Sequence, residues 1–358
     1  MQGELESFAM TDSTAPSPKP RIIITQGDPA GIGPEVIVGA WPDPRLHERA
    51  DLLVAGRPEV IRSAVRLLGG NLKVVVVDRP EAAVASPGVI PCLAVGSDDV
   101  LELAPGAIDA RGGQAAYEAL ILAAELALAG RVDAITTAPL SKAALWKAGH
   151  EYPGHTELLG ELCGVGEVAM MLYLPPGEGI RGAAGLGVVH VTLHMALRDV
   201  FQQLTTEEIV AKCALAERVM RRLKGAAPRL AVCALNPHAG EAGLFGDEEQ
   251  TIILPAVERG RAAGWNLEGP LPADTLMVRA AAGEFDGVVA MYHDQGHIAL
   301  KLLGMHRAVN VTLGLPIIRT SVAHGTAADR AWQGVADHGG MIAALLVAAD
   351  LAKGHSLG

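Results

Sequence analysis

Twelve histidines run through the 358-residue chain, and four sit in stretches crowded with other reactive side chains. These are His155 in YPGHTELL, His194 in VTLHMALRD, His238 in LNPHAGEAG and His293 in MYHDQGH. His194, His238 and His293 each follow an apolar β-run, and open α/β sheets gather their ligands at the carboxyl ends of strands. Three neutral imidazoles could give a divalent cation three nitrogen ligands and leave a position open for a substrate oxygen. Asn236, Glu241, Asp274 and Asp294 are the nearby amides and carboxylates able to orient such ligands. His190 lies inside an apolar run, where a hydrogen-bonded core histidine is expected. His47, His150, His306, His338 and His355 fall among polar or terminal residues and read mostly as surface groups.

Two further stretches could hold a ligand. In TQGDPAGIGPEV (25–36), Gly27, Gly31 and Gly33 leave the backbone free for close approach, Asp28 can accept a hydrogen bond, and Pro34 and Glu35 suit a helix start. The same spacing also serves a tight turn with a cap. Downstream, Lys301, Asn310 and Arg319 recur at even intervals and could converge on a small polyanion, Arg as a bidentate fork and Lys as a point charge. Solvated surface charges are the alternative. HGTAAD (324–329) follows, and its His324, Gly325 and Thr326 stand ahead of a helix as a seat for a flat ring or a phosphate. The formal G-x-G-x-x-G at Gly177, Gly179 and Gly182 lies between two β-runs. Because the dinucleotide fingerprint needs a helix after it, this match reads as a hairpin loop.

The elements that must position these groups are legible as β-branched runs at 21–25, 51–56, 73–78, 134–138, 168–174, 188–193, 229–235, 287–292 and 308–312. Most are continuously apolar, as strands covered on both faces are. Helices are expected over 112–130 and 205–225, the second with Thr205 and Glu208 as a capping box and Gly225 as a stop. The alternation predicts an α/β fold, a mostly parallel sheet between helical layers. With 50% apolar but only 3% aromatic residues, its core must be built from Ala, Val, Leu and Ile.

Composition excludes several roles. A formal charge of −11 and no long basic run argue against nucleic acid or an anionic membrane as partner. No apolar run is long enough to span a bilayer. Cys92, Cys163, Cys213 and Cys233 are scattered, with no C-x-x-C, as thiols in a reducing cytoplasm are. Residues 1–20 read as a disordered tail, without the basic and apolar regions of a signal peptide.

TQGDPAGIGPE, GHTELL, NPHAGEAGLFGDEE, GPLPADTL, AMYHDQGH and VNVTLGLPIIRTSVAHGTA, in this order over nearly the whole chain beyond residue 20, resemble the 4-hydroxythreonine-4-phosphate dehydrogenases of vitamin B6 synthesis. The resemblance implies a two-lobed, three-layer α/β/α fold like that of isocitrate and isopropylmalate dehydrogenases. Its active site would lie in the interdomain cleft of a homodimer. A cofactor-side domain would cover 21–140 plus 300–358, and a metal, substrate and dimerisation domain 141–299. It further implies metal ligands His194 and His238 from one subunit and His293 from the other, with zinc ahead of magnesium, manganese or cobalt. Substrate contacts carry over to His155, Thr156, Lys301, Asn310 and Arg319, and the cofactor, NAD or NADP, to Gly27, Asp28, Gly31, His324, Gly325 and Thr326. The reaction implied is oxidation of the 3-hydroxyl of 4-phosphooxy-L-threonine, followed by loss of carbon dioxide. Asp274 and Asp294 are candidates for orienting ligands or relaying a proton, and Lys142 in TAPLSK for proton transfer or for holding substrate.

Two segments depart from the vitamin B6 pattern. LPPGEGIRGAAGLG is long, and WKAGHEYPGHTELL looks closer to paralogues acting on threonate or erythronate 4-phosphate or on an aromatic cis-dihydrodiol. A phosphate acyltransferase is the alternative from another class, since its fold is similar and a Lys/Arg pocket also suits an acyl phosphate.

Overall fold

The apolar runs do form strands, and three further segments join them, two carrying proline and one rich in polar residues. The computed structural model describes residues 19–353, so His355 and all but the end of the expected tail lie outside the described residues. Its strands are β1 Arg21–Thr25, β2 Asp51–Gly56, β3 Lys73–Val77, β4 Val89–Ala94, β5 Ala134–Thr137 and β6 Ala169–Leu174. The remainder are β7 Leu186–His190, β8 Leu230–Cys233, β9 Leu267–Leu271, β10 Gly287–Ala290, β11 Val309–Leu313 and β12 Arg319–Val322.

All twelve belong to one sheet, in the order β3-β4-β2-β1-β5-β12-β11-β6-β7-β10-β8-β9. The block from β3 to β12 is parallel throughout, and so is the block of β7, β10, β8 and β9. Between them β11 is antiparallel to both neighbours, and β6 is antiparallel to β7. The two parallel blocks therefore run in opposite directions, and their meeting place is the centre of the sheet. Helices cover both faces, giving the α/β fold that the alternation predicts.

Local chemistry sets the helix ends. Ala110–Leu128 begins where the Asp109 carboxylate accepts the Arg111 N–H, two residues earlier than the apolar pattern suggests. Thr206–Lys224 is capped by the Thr205 hydroxyl accepting from the Glu208 N–H, and it ends at Gly225 in the left-handed region. The core is aliphatic, with Trp41 its largest fully buried side chain. Helix Gly339–Lys353 ties the halves together: Met341, Leu345 and Ala348 pack into the core around β1 and β2, and Ala344, Val347 and Leu351 into the core around β6, β7 and β11. The Gly177–Gly182 segment is the connection of the β6–β7 antiparallel hairpin, closed by mutual hydrogen bonds of Gly177 and Ile180. Among the described residues, no helix is long and apolar enough to cross a membrane.

Candidate active site

A cleft of about 320 Å³ crosses the sheet centre. Because side chains alternate along a strand, Thr137 of β5, Arg319 and Ser321 of β12, Asn310 of β11 and Met170 of β6 all point from one face into its wall. Helix Lys142–Lys147, capped by the Ser141 hydroxyl, adds Lys142. The start of helix His155–Leu162 adds His155 and Thr156. Helix His293–Gly304, which starts directly after β10, brings His293 and Lys301, and the segment after β7 brings His194. Every substrate contact expected from the sequence thus faces one space.

Its electrostatics are those of an anion site. Arg319 is 4% exposed and hydrogen-bonds only to neutral groups, Nη1 to the Thr312 hydroxyl at 3.0 Å and Nη2 to the Thr137 hydroxyl at 2.6 Å. Its Nε and the Asn310 Oδ1 are buried without a partner. Burial lowers the guanidinium pKa to about 9, so it stays cationic at neutral pH. Burial, and then the charges of Arg319 and Lys142, hold His155 well below the usual imidazole range. Glu157 is the one carboxylate in the wall among the described residues. The charge of Glu157 opposes the burial of Arg319 without pairing with it; a buried cation without a directly paired carboxylate is costly, and an anionic ligand would supply that contact.

The donor set for a metal is divided. His194 and His293 have ring centroids 5.8 Å apart. The His293 Nδ1 lies 2.6 Å from the Asp294 Oδ1, the carboxylate–histidine arrangement that leaves Nε2 free for a ligand. Burial, and then the charges of Lys142 and His293, lower the His194 pKa, which favours the neutral imidazole that a cation needs. These two fit a divalent cation. His238 stands apart, its Nδ1 3.2 Å from the Glu241 carboxylate, in a second cavity with Asp274 and Asp294. Its segment, Pro237–Gly243, is built on left-handed backbone from His238 to Ala242 and is anchored by buried Glu249, which accepts the Leu235 and Asn236 N–H groups. Within one chain His194 stands beside His293, while His238 lies in the other cavity. Among the described residues, no three His, Cys, Asp or Glu of one chain converge on a metal position.

The expected cofactor residues are also split. His324 and Gly325 line the cleft, and open space surrounds the Gly325 Cα. Gly27, Asp28 and Gly31 are buried, and their glycines are needed against protein. A Cβ on Gly27, at φ +69°, would lie 2.2 Å from the Pro139 carbonyl oxygen, and one on Gly31 2.9 Å from the Thr326 Cβ. The Ile32 N–H donates to the Thr326 carbonyl at 3.1 Å, so this loop carries the 324–326 segment. Burial raises the Asp28 pKa to about 6, while the Ala30 N–H opposes the shift.

The sequence reading did not single out His297 or Thr137. His297 lies four residues after His293, hence on the same helical face. Its ring stacks on His293 at 3.9 Å, and its Nδ1 lies 3.1 Å from the His190 Nε2. Burial lowers the His190 pKa to about 3 and that of His297 to about 4.

Comparison with known proteins shows the family of the chain. The family model "Pyridoxal phosphate biosynthetic protein PdxA" matches residues 48–348. The chain is 46% identical to a 4-hydroxythreonine-4-phosphate dehydrogenase of Geobacter metallireducens, over 94% of this chain and 97% of that protein. It is 44% identical to a D-threonate 4-phosphate dehydrogenase of Pectobacterium atrosepticum, over 92% and 99%. A crystal structure of 4-hydroxythreonine-4-phosphate dehydrogenase from Klebsiella pneumoniae superposes with a TM-score of 0.83 at 43% identity, covering 93% of this chain and 100% of that one.

Proposed function

Because the chain belongs to the PdxA family and is a dehydrogenase, we propose that it oxidises the 3-hydroxyl of 4-phosphooxy-L-threonine, with NAD or NADP as acceptor and a divalent metal, zinc foremost. The product is a β-keto acid, which loses carbon dioxide to give 3-amino-2-oxopropyl phosphate. The unpaired, buried Arg319 carries this reading. With Lys301, Asn310, His155 and Thr156 it forms a seat for the phosphate and carboxylate. Lys142, exposed at the cleft rim, holds substrate or takes up the hydroxyl proton. His194 and His293 hold the metal, and Asp294 fixes the His293 ring. Bound there, the cation would polarise the hydroxyl while the nicotinamide accepts hydride.

In one chain His238 lies in a different cavity from the His194–His293 pair, so the proposal includes a homodimer with shared sites, in which His238 of a second copy completes the ligand set and Asp274 travels with it. The half built on 21–140, with 300–358, is assigned to the cofactor, seated near His324, Gly325 and Thr326. Gly27, Asp28 and Gly31 support that seat from behind. Four free thiols suit a reducing cytoplasm.

A second reading, D-threonate or D-erythronate 4-phosphate dehydrogenase, is favoured by one observation. Glu157 is the sole carboxylate in the cleft wall among the described residues. An ammonium at C2 would have that group alone as counter-charge, and a hydroxyl needs none. The test is cofactor reduction by zinc-loaded protein with 4-phosphooxy-L-threonine, D-threonate 4-phosphate, D-erythronate 4-phosphate and an aromatic cis-dihydrodiol, in parallel. Turnover of a phosphorylated acid that stops on chelation supports the proposal; turnover of the diol alone, or turnover insensitive to EDTA, overturns it.

A further inference from the structure

Behind the His194–His293 pair lies a second pair that the mechanism above does not use. His190 ends β7, is 1% exposed, and places its Nε2 3.1 Å from the His297 Nδ1. The approach requires Gly296: a Cβ there would lie 2.5 Å from the His190 Nε2. The His293 carbonyl is within reach of both rings, yet the 3.1 Å approach of the two ring nitrogens requires one proton between them, and the burial of His190 decides which ring carries it. The His190 Nδ1 is sealed from solvent and has no partner. If His297 donated, neutral His190 would hold its proton on that Nδ1, leaving a buried N–H without an acceptor. If His190 donates, only a lone pair goes unmatched, the less costly state. Neutral His297 then carries its own proton on Nε2. That atom has no partner among the described residues and is not sealed, and His297 lines the cleft.

We infer that the His190–His297 pair fixes His297 as an Nε2–H donor facing the cleft, a specificity-determining contact for a substrate oxygen. The inference rests on the proposed hydroxy-acid dehydrogenase reading. His297 selects for an acceptor, whether hydroxyl, carboxylate or phosphate oxygen, and against an ammonium at the same place. His190 is a positioning residue that acts through His297.

Two measurements separate this inference from the reading beneath it. Nitrogen-15 NMR of the ring nitrogens of the full chain, without substrate, should show His297 in the Nε2–H tautomer, and in His190→Leu that preference should be lost. An Nδ1–H tautomer in the wild type overturns the inference whatever the enzyme oxidises. In kinetics with 4-phosphooxy-L-threonine and D-threonate 4-phosphate, His297→Asn keeps a group near Nδ1 but loses the donor. Its KM should rise about tenfold with a smaller change in kcat. His297→Gln, which restores a donor near Nε2, should recover most of the loss. Zinc affinity, measured by chelator competition, should be unchanged in both. A wild-type KM in His297→Asn, or equal losses in Asn and Gln variants with matched melting temperatures, sinks the inference. Failure of the wild type to oxidise either acid would instead sink the functional reading and leave the tautomer result standing.

Discussion

Replacing Arg319 with methionine separates the two things a buried guanidinium can do. The side chain is 4% exposed and is set only against the hydroxyls of Thr312 and Thr137. Burial lowers its pKa from 12.5 to about 9, which at 1.36 kcal/mol per pKa unit corresponds to roughly 5 kcal/mol of unfavourable burial. Two hydrogen bonds from a charged donor return about 3 kcal/mol together. Methionine removes both contributions and fills similar space, so stability should stay level or rise by about 2 kcal/mol. Substrate recognition should move the other way. Losing one partner of a buried charged contact costs about 3–4 kcal/mol, so kcat/KM for the phosphorylated acid should fall by a factor of roughly 10²–10³. The sign of the pH response follows from the same depressed pKa. The free enzyme loses this cation as pH rises through about 9, so wild-type kcat/KM should decline there. Over that range the free protein gains stability, because the unfolded chain holds the proton more tightly. Urea unfolding and cofactor reduction, run on both proteins, give the two numbers. A variant that loses several kcal/mol of stability yet keeps its kcat/KM would refute the reasoning and make Arg319 structural.

Asp294→Asn should weaken zinc affinity by about 10–100-fold in a chelator competition, since the 2.6 Å contact to the His293 Nδ1 orients that ring; undiminished affinity with full turnover would remove Asp294 from the site. Asp28→Asn should stabilise the protein at pH 8 by up to about 3 kcal/mol and give no gain at pH 3. Its carboxyl pKa is raised from 3.8 to about 6 by burial, so the native state loses stability as pH climbs through that interval, and urea midpoints at the two pH values check the sign. Ellman's reagent should label one thiol per native chain and all four after unfolding. Cys92, Cys213 and Cys233 are buried with pKa values pushed up to about 12, whereas Cys163 is half-buried; rapid labelling of a second native thiol would contradict the packing.

The strands that went unread in the sequence have two physical causes, buried polar side chains in one and proline or glycine in the others. Apolar periodicity finds a strand only if burial is matched by hydrophobicity. In β12 the residues Arg319, Thr320 and Ser321 are buried yet polar, because two of them line the cleft and the Thr320 hydroxyl bonds to Thr136 and Ala344. β4 carries Pro91 inside the sheet, and β9, with Gly269 and Pro270, is the edge strand where proline is tolerated. The reversal of direction at the sheet centre was likewise invisible, since a strand's composition says nothing about the sense in which it enters the sheet.

The site was legible as a set of residues but not as a geometry. Motif spacing brought out His155, His194, His293, Lys301, Asn310 and Arg319, and all six meet in one cleft. It could not show that Arg319 lacks a carboxylate partner, a property of the fold that makes the anion argument quantitative. Glycines leave two readings open in the sequence, and the packing supports the turn. Gly27 and Gly31 look like room for a ligand, yet the space a side chain would need is taken by Pro139 and Thr326. His297 did leave a trace, its i, i+4 spacing from His293, but its partner His190 is 107 residues away and reads as a core histidine. Both readings hold: His190 is core, and its burial determines which nitrogen His297 turns toward the cleft. In this fold the boundary between packing and chemistry runs through single side chains. A residue's role therefore follows from which of its polar atoms the protein leaves unpaired, and residue type alone does not reveal that.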